Sequence, residues 1–496
     1  MTAPAAISPQ GTVREMLAQR AAEGGTAFVF PQTGESVSWE VLYQDALAFA
    51  QTITARGARK SESIAIVSPN NRAAVTALYG VLLGGFRATM INLAAGRDAI
   101  AYALEHCEAR FAFVHDDSLA VFEAANTTGI QRLDLQERGA APLHDVSAAD
   151  HALLMYTSGT TGIPKGVVHT HASLLAGGWT AALAHDLTAA DRGFCVLPIY
   201  HINGLCVTVM GALVSGGSLA MVSRFSASQF WHHADAAQVT WFSVVPTIIS
   251  HLLHGAPEPT QRCKDRLRFG RSASSALAVE TQTAFEQRFC VPIIETMGLT
   301  ETAAQILSNP LPPAVRKIGS PGRAVGCEVE IHDAHGTPLP PNTEGEIVIR
   351  GPNVMLEYLK NPQATAGTFR DGWLRTGDLA KIDHEGYVFV TGRLKELIIK
   401  GGENIAPREI DELLYSHPDV IEAAAFARPC ARYGETVEAA VRLTSGSATQ
   451  AQDLLDICAA GLGAFKTPDV IHFMDELPKG PSGKIQRLKL ATLLGG

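Results

Sequence analysis

The 496-residue chain carries 40 Lys+Arg against 49 Asp+Glu, a formal net charge of -9, and 46% of its residues are hydrophobic. That length exceeds what one core accommodates, so two or more domains are expected, and the acidic balance argues against a general DNA- or RNA-binding surface. The first ten residues show no basic region followed by an apolar core, no apolar run reaches bilayer length, and the eight cysteines form no CxxC pair or zinc spacing. The expectation is a cytoplasmic protein with reduced thiols and neither a membrane nor a nucleic-acid partner.

In chain order, the pattern predicts a helix over 13–22 and a hairpin-like patch over 28–39. A strand at 64–67, a helix over 72–83, an apolar segment at 88–93 before a further helix, and a strand at 111–114 follow. Strand, turn, helix, strand at this spacing is the alternation of a mostly parallel sheet. A second round opens at Leu153 and runs through strands at 195–199, 218–222, 240–244 and 267–269, which places two related α/β halves before about residue 320. Between Cys327 and Arg350, Val329, Ile331, Ile347 and Ile349 alternate with polar residues around a stretch rich in Gly, Pro and Asn, the mark of a half-exposed strand pair. Residues 386–392 form another strand, and Arg393-Leu-Lys-Glu396 reads as a boundary. Pro407 suits a first helical position, a helix runs to Ser416, strands at 420–426 and 438–443 come next, and a helix covers 451–460. The predicted fold class is α/β: a large N-terminal domain, residues 1–393, with two related α/β subdomains and a small β region, then an α+β C-terminal domain, residues 394–496.

The chemistry gathers first at Leu154-Met-Tyr-Thr-Ser-Gly-Thr-Thr-Gly-Ile-Pro-Lys-Gly-Val-Val168. The end of a buried strand runs into four hydroxyls (Thr157, Ser158, Thr160, Thr161), three glycines (Gly159, Gly162, Gly166) and Lys165. Glycines let backbone N–H groups turn inward around an anion, hydroxyls add donors, and the lysine adds a point charge. The Walker spacing G-x-x-x-x-G-K-S/T is absent. Taken alone, the stretch fits either a phosphate-gripping loop or a surface loop of turn formers.

Thr157-Ser-Gly-Thr-Thr-Gly-Ile-Pro-Lys-Gly166 resembles the phosphate loop of the adenylate-forming enzymes, which include acyl-CoA synthetases, luciferases and peptide-synthetase adenylation domains. Pro198-Ile-Tyr-His201, Thr300-Glu301, Trp373-Leu-Arg-Thr-Gly-Asp378, Gly392-Arg-Leu-Lys-Glu396, Lys400-Gly-Gly-Glu-Asn404 and Pro481-Ser-Gly-Lys484 follow in the family's order. Within the family, Trp241-Phe-Ser-Val-Val-Pro-Thr247, Arg271-Ser-Ala-Ser274 and Ser308-Asn-Pro-Leu311 resemble oxalate–CoA ligases and related ligases of small polar acids. The resemblance implies a mobile C-terminal domain and two half-reactions: acid plus ATP gives acyl-adenylate and pyrophosphate, then the coenzyme A thiol displaces AMP. ATP and coenzyme A are the implied co-substrates and Mg²⁺ the implied cofactor. An adenylation enzyme that loads a carrier protein would share the first half-reaction. No feature of the sequence separates a monomer from a homodimer.

The same resemblance assigns roles. Thr157 and Glu301 stand nearest Mg²⁺ and phosphate, Thr300 bonds the α-phosphate, and Lys165, with Ser158 to Gly162, serves the β/γ-phosphates. Asp378 takes the ribose hydroxyls, as a carboxylate with two acceptor oxygens can, and Arg393 meets ribose or phosphate. Lys395 is the pivot and Lys484 the adenylation lysine. Gly401 and Gly402 pass the pantetheine arm, or only end a strand; His201 gates the thiol tunnel, or only packs. Met297 occupies the adenine-facing position where the family pattern has Tyr, and Asn203 stands where oxalate ligases carry a second His. Arg271, Ser272, Ser274 and Asn203 are the candidate acid pocket. Arg271 offers a planar fork to a second carboxylate or a sulfonate, or else makes a structural salt bridge. Oxalate, sulfoacetate and malonate are the expected acids, and Asn203 tilts the expectation toward a tetrahedral sulfonate.

Overall fold

The computed structural model describes residues 7–157, 164–480 and 485–495. Two large sheets dominate. In the first, the strands run Glu357–Tyr358, Lys165–Thr170, His151–Thr157, Arg87–Met90, Ser63–Val67, Phe111–Val114 and Gln131–Leu133, parallel from His151–Thr157 onward. The second has nine strands, and its six inner ones, from Ile293–Leu299 through Phe269–Ser272, Trp241–Val244, Arg192–Cys195 and Ser218–Met221 to Thr26–Phe30, are parallel. An antiparallel sheet built around Glu328–His332, Gly345–Arg350, Trp373–Ile382 and Val388–Arg393 follows. A last sheet contains Ile398–Lys400, Glu403–Ile405, Val420–Cys430, Gly434–Leu443 and Val470–Phe473. The α/β class with a small β region and a terminal α+β part is therefore the observed architecture. Among the described residues, no helix is long and apolar enough to cross a membrane.

Local chemistry accounts for the element ends. Thr12 and Glu15 form a capping box that opens the helix Val13–Glu23, Asn71 caps Arg72–Gly84, and Pro407 occupies the first turn of Pro407–Tyr415, each satisfying or removing an orphan N–H. In the nine-stranded sheet, side chains alternate between two covered faces. Phe194, Phe242 and Ile293 pack on one side with Phe230, Trp231 and Phe285. Cys195, Trp241, Phe269 and Ile294 face the other side, in the core shared with the first sheet.

One boundary departs from expectation. The strand anticipated at 267–269 is found at Phe269–Ser272. Arg271 and Ser272 look like residues beyond a strand end, yet both are buried in it. The Arg271 guanidinium is hydrogen-bonded across the interior, which is what lets it stay there. The strand expected at 195–199 ends at Cys195, because Pro198 and the turn after it leave the sheet.

All eight cysteines are free thiols, and Cys107, Cys195, Cys206, Cys263 and Cys458 are buried. Burial pushes the thiol of Cys195 up to about 12 and those of Cys107 and Cys458 up to about 11.

Glu295, in the strand Ile293–Leu299, is 3% exposed. Its Oε1 accepts the Leu277 N–H at 3.2 Å, while Oε2 has no partner among the described residues. Burial raises its pKa to about 7, against the opposing pull of Arg408 and the Leu277 N–H and with a small push from Glu412. A carboxyl whose folded pKa lies above its unfolded value lends stability at low pH that is lost as pH rises through the folded pKa. Here the window runs from about 4.5 to about 7. Glu295→Gln keeps an acceptor for Leu277 and cannot ionise. Its melting temperature relative to wild type should rise steadily across that window and level off above it, as followed by calorimetry from pH 4 to 9. A constant offset at every pH would refute the buried, titrating carboxyl.

Candidate active site

Two clusters meet along one strand. The antiparallel pair His151–Thr157 and Lys165–Thr170 brings Thr157 opposite Lys165 at the mouth of the Gly-rich stretch. Ser158, Gly159, Thr160, Thr161 and Gly162 lie outside the described residues, as does Lys484. Lys165 Nζ sits 4.6 Å from the centre of the Tyr358 ring, and the Tyr358 hydroxyl donates to Glu301 Oε1 at 2.7 Å. One tyrosine thus holds both the cation and the carboxylate assigned to the phosphates. The Thr300–Thr302 turn that carries Glu301 is anchored from behind. His169 is fully buried, with its pKa pulled down to about 4 by desolvation, so it is neutral. It accepts from the Ser173 hydroxyl on Nδ1 (3.1 Å) and donates Nε2–H to the Thr300 carbonyl (2.7 Å).

A hard divalent cation takes oxygen ligands, and Mg²⁺ typically uses one or two carboxylates plus substrate phosphates. Glu301 keeps Oε2 beyond its tyrosine bond, and Thr157, in register with Lys165, adds a hydroxyl, so the donor types fit Mg²⁺ carried by a nucleotide.

The strand Ile293–Leu299 leads directly into that turn, and its Met297, Gly298 and Leu299 line a cavity of about 260 Å³. Ser274, Asp378 and Arg393 line it too. Gly298 has to be glycine, because a Cβ there would stand 1.6 Å from the Ala304 carbonyl oxygen. Asp378 is placed by its own loop: its N–H donates to Thr376 Oγ1 at 3.0 Å, and Gly377 N–H donates to Glu346 Oε1 at 3.0 Å. Arg393, opposite it in register, bridges both Asp378 oxygens. Burial disfavours the Arg393 charge, but Asp378, helped by Glu396 and Glu301, outweighs burial and holds its pKa above the ordinary arginine value.

The far wall comes from the C-terminal sheet and its helices. Arg408, Asp411, Glu412, Ile485 and Arg487 line the cavity opposite Glu295. Arg487 ties this wall together by donating to Asp411 Oδ2 (2.6 Å), Glu396 Oε2 (3.4 Å) and the Ala425 carbonyl. Lys395 sits in the tight turn between Val388–Arg393 and Ile398–Lys400, where Glu396 N–H donates to the Arg393 carbonyl at 2.9 Å. Gly401 (φ 59°) and Gly402 (φ 87°) form the two-residue turn between Ile398–Lys400 and Glu403–Ile405. They are exposed and stand apart from the cavity lining.

The acid-pocket candidates are close together but mostly behind the wall. Arg271 is 1% exposed and donates from Nη1 to Asn203 Oδ1 (2.6 Å) and Ser243 Oγ (3.0 Å) and from Nε to Gln305 Oε1 (3.0 Å). No carboxylate among the described residues pairs with it, so a structural salt bridge does not account for its burial, and desolvation lowers its pKa to about 9. Asn203 opens a π-helical segment, Asn203–Met210, and Gly204 after it packs so tightly that a Cβ would meet the Pro198 carbonyl oxygen at 2.4 Å. Ser272 is fully buried, whereas Ser274 is exposed. The His201 ring stands edge-on to Tyr200, with centroids 4.9 Å apart.

Sequence reasoning did not single out His169, Tyr358, Ser243, Gln305, Glu295 or Arg487. His169 and Tyr358 touch the turn from 131 and 57 residues away, separations that no local spacing reveals.

Residues 17–359 match the profile of the AMP-binding enzymes, and residues 409–484 match that of the AMP-binding enzyme C-terminal domain. The chain is 42% identical to a sulfoacetate–CoA ligase of Cupriavidus necator over 97% of both proteins. It is 39% identical to an oxalate–CoA ligase of Arabidopsis thaliana over 68% of this chain and 66% of that protein. Its fold superposes on ATP-bound MatB from Rhodopseudomonas palustris with a TM-score of 0.89 at 27% identity, covering 97% of this chain and 99% of the other. With the Thr157/Lys165/Glu301 cluster and the Asp378/Arg393 cavity joined by one strand, and with both profiles matched in order, the chain belongs to the AMP-binding, adenylate-forming acyl-CoA synthetase family.

Proposed function

We propose that this ligase activates a small acid bearing a second anionic group, sulfoacetate or oxalate first and malonate next. The reaction is ATP-dependent joining of coenzyme A to a small organic acid through an acyl-adenylate, with release of pyrophosphate and then AMP. The observation that carries the substrate reading is Arg271, a buried guanidinium whose hydrogen-bond partners among the described residues are neutral oxygens, linked to the cavity wall through Asn203 and Ser274. An unpaired buried charge is costly, and a bound anion lowers that cost. The identity to a sulfoacetate–CoA ligase points the same way.

In this reading the carboxylate oxygen attacks the α-phosphorus in line and pyrophosphate leaves. Lys165 and, when bound, Mg²⁺ screen the approach of one anion to another. Glu301 and Thr157 would hold the metal, and Thr300 meets the α-phosphate. Asp378 opens its pair with Arg393 to take the ribose hydroxyls, and Met297 packs its thioether on adenine where a tyrosine would stack. Residues 394–496 act as a mobile domain turning about Lys395. Ile485 and Arg487 already line the cavity, which supports delivery of the neighbouring Lys484 to the carboxylate and α-phosphate. Rotation then brings Gly401 and Gly402 in from solvent to admit the pantetheine arm, with His201 at the thiol passage.

A panel of sulfoacetate, oxalate, malonate, acetate and butyrate, scored by AMP release with Mg-ATP and coenzyme A, tests the substrate reading. Acids with a second anion should exceed butyrate by 10-fold or more in kcat/KM, and equal activity on butyrate would overturn the anionic pocket. Lys484→Ala should lose about 10²–10³ in adenylate formation, roughly 3–4 kcal/mol of transition-state stabilisation, yet still convert added acyl-adenylate with coenzyme A. Equal loss in both half-reactions would remove the two-state role of the C-terminal domain.

A further inference from the structure

Resting on that reading of the acid, we propose that Asn203 and Ser274, and not the Arg271 guanidinium, are the donors that touch the second anionic group. Arg271, Ser243 and Gln305 are positioning residues that act through Asn203.

The hydrogen-bond directions leave little freedom. Arg271 Nη1 donates to Asn203 Oδ1 at 2.6 Å and to Ser243 Oγ at 3.0 Å. The Ser243 hydroxyl, having accepted, donates its own hydrogen to the same Asn203 Oδ1 at 3.2 Å. Two donors on the amide oxygen fix the side chain, since a flipped amide would set N–H₂ against a guanidinium and a hydroxyl. The Asn203 N–H₂ group is thereby turned toward Ser274, whose Oγ it reaches at 3.4 Å. Ser274 lines the cavity with φ at 78°, a left-handed conformation unfavourable for serine, in a loop tied down by the bond between Leu277 and Glu295. Once it accepts from Asn203, its own hydrogen is available to a ligand.

The guanidinium is pinned on its other edge as well. Gln305 Oε1 accepts from Arg271 Nε at 3.0 Å and from His185 Nε2 at 3.2 Å, and Gln305 Nε2 donates to the Thr180 carbonyl at 3.4 Å. His185 is buried against Phe269, its pKa pulled down to about 3 by desolvation and the nearby arginines, so it is a neutral Nε2–H donor. Every one of these acceptors is uncharged. Among the described residues, then, no carboxylate pairs with the positive charge, and it polarises the outward N–H of Asn203. Arg271 itself, 1% exposed, stands behind that amide.

The test follows pyrophosphate release with sulfoacetate and with butyrate for Asn203→Ala, Ser243→Ala and Ser243→Thr, with thermal melts to confirm folding. A direct contact by Arg271 predicts that Asn203→Ala uncovers the guanidinium and leaves the sulfoacetate KM unchanged or lower. The relay predicts a rise of about 10–100-fold in that KM relative to butyrate, the scale of a lost hydrogen bond to a charged group. Ser243→Ala should move the same ratio in the same direction by less, because one of two pins remains, and Ser243→Thr should restore it. An unchanged or lowered ratio in Asn203→Ala overturns the relay. Wild-type enzyme that fails to distinguish sulfoacetate from butyrate overturns instead the anionic-acid reading on which the relay stands.

Discussion

A guanidinium held inside a parallel sheet without a carboxylate is the constraint from which the rest of the site follows. Arg271 needs several oriented oxygens to be tolerated there, and they come from three other elements: Asn203 at the head of the π-helical segment, Ser243 on the adjacent strand and Gln305 on the antiparallel edge. Fixing those three fixes how the helical layer sits on the sheet. A protein pays for such a charge in stability, and a binding site for an anion is one setting in which the expense has a use.

The cavity and the turn carrying Glu301 are organised on the same sheet. The strand Ile293–Leu299 lines the cavity through Met297 to Leu299 and then turns to present Glu301. Neutral His169 holds that turn by its backbone, and Tyr358 holds the carboxylate while its ring faces Lys165. Cation, carboxylate and cavity are thus preset by packing, and groups preset in this way need little reorganisation when charge develops beside them. The C-terminal sheet closes the opposite wall through Arg408 and Arg487, while its Gly401-Gly402 turn remains in water.

The architecture was legible because strands buried on both faces and helices with capped ends leave periodic traces. Phe111–Val114 and Arg72–Gly84 lie within a residue of the expected positions. The family motifs located Asp378, Arg393 and Met297, which the fold gathers around one cavity. What stayed hidden was polar and long-range. Arg271 and Ser272 broke the apolar pattern and so read as lying past a strand end, when tertiary hydrogen bonds let them continue it. Gln305 carries no motif and Ser243 lies in one without a role of its own assigned to it, so their meaning comes from contacts 34 and 28 residues away in sequence. Tyr358 looked like one more aromatic until the short strand Glu357–Tyr358 docked beside Lys165–Thr170.

The buried thiols bear on the company this enzyme keeps. Its second co-substrate is itself a thiol, and the disulfide form of such a thiol exchanges with an accessible protein thiolate, which takes one sulfur and releases the other as a thiolate. Cys107, Cys195 and Cys458 are withdrawn from solvent and kept protonated far above neutral pH, and protonated sulfur is a poor nucleophile. Cys290, exposed at the end of Val279–Phe289, is differently placed. Capping by a coenzyme A disulfide, with one coenzyme A thiolate leaving, would therefore begin on the outer surface at Cys290, leaving the buried sulfurs as inert packing.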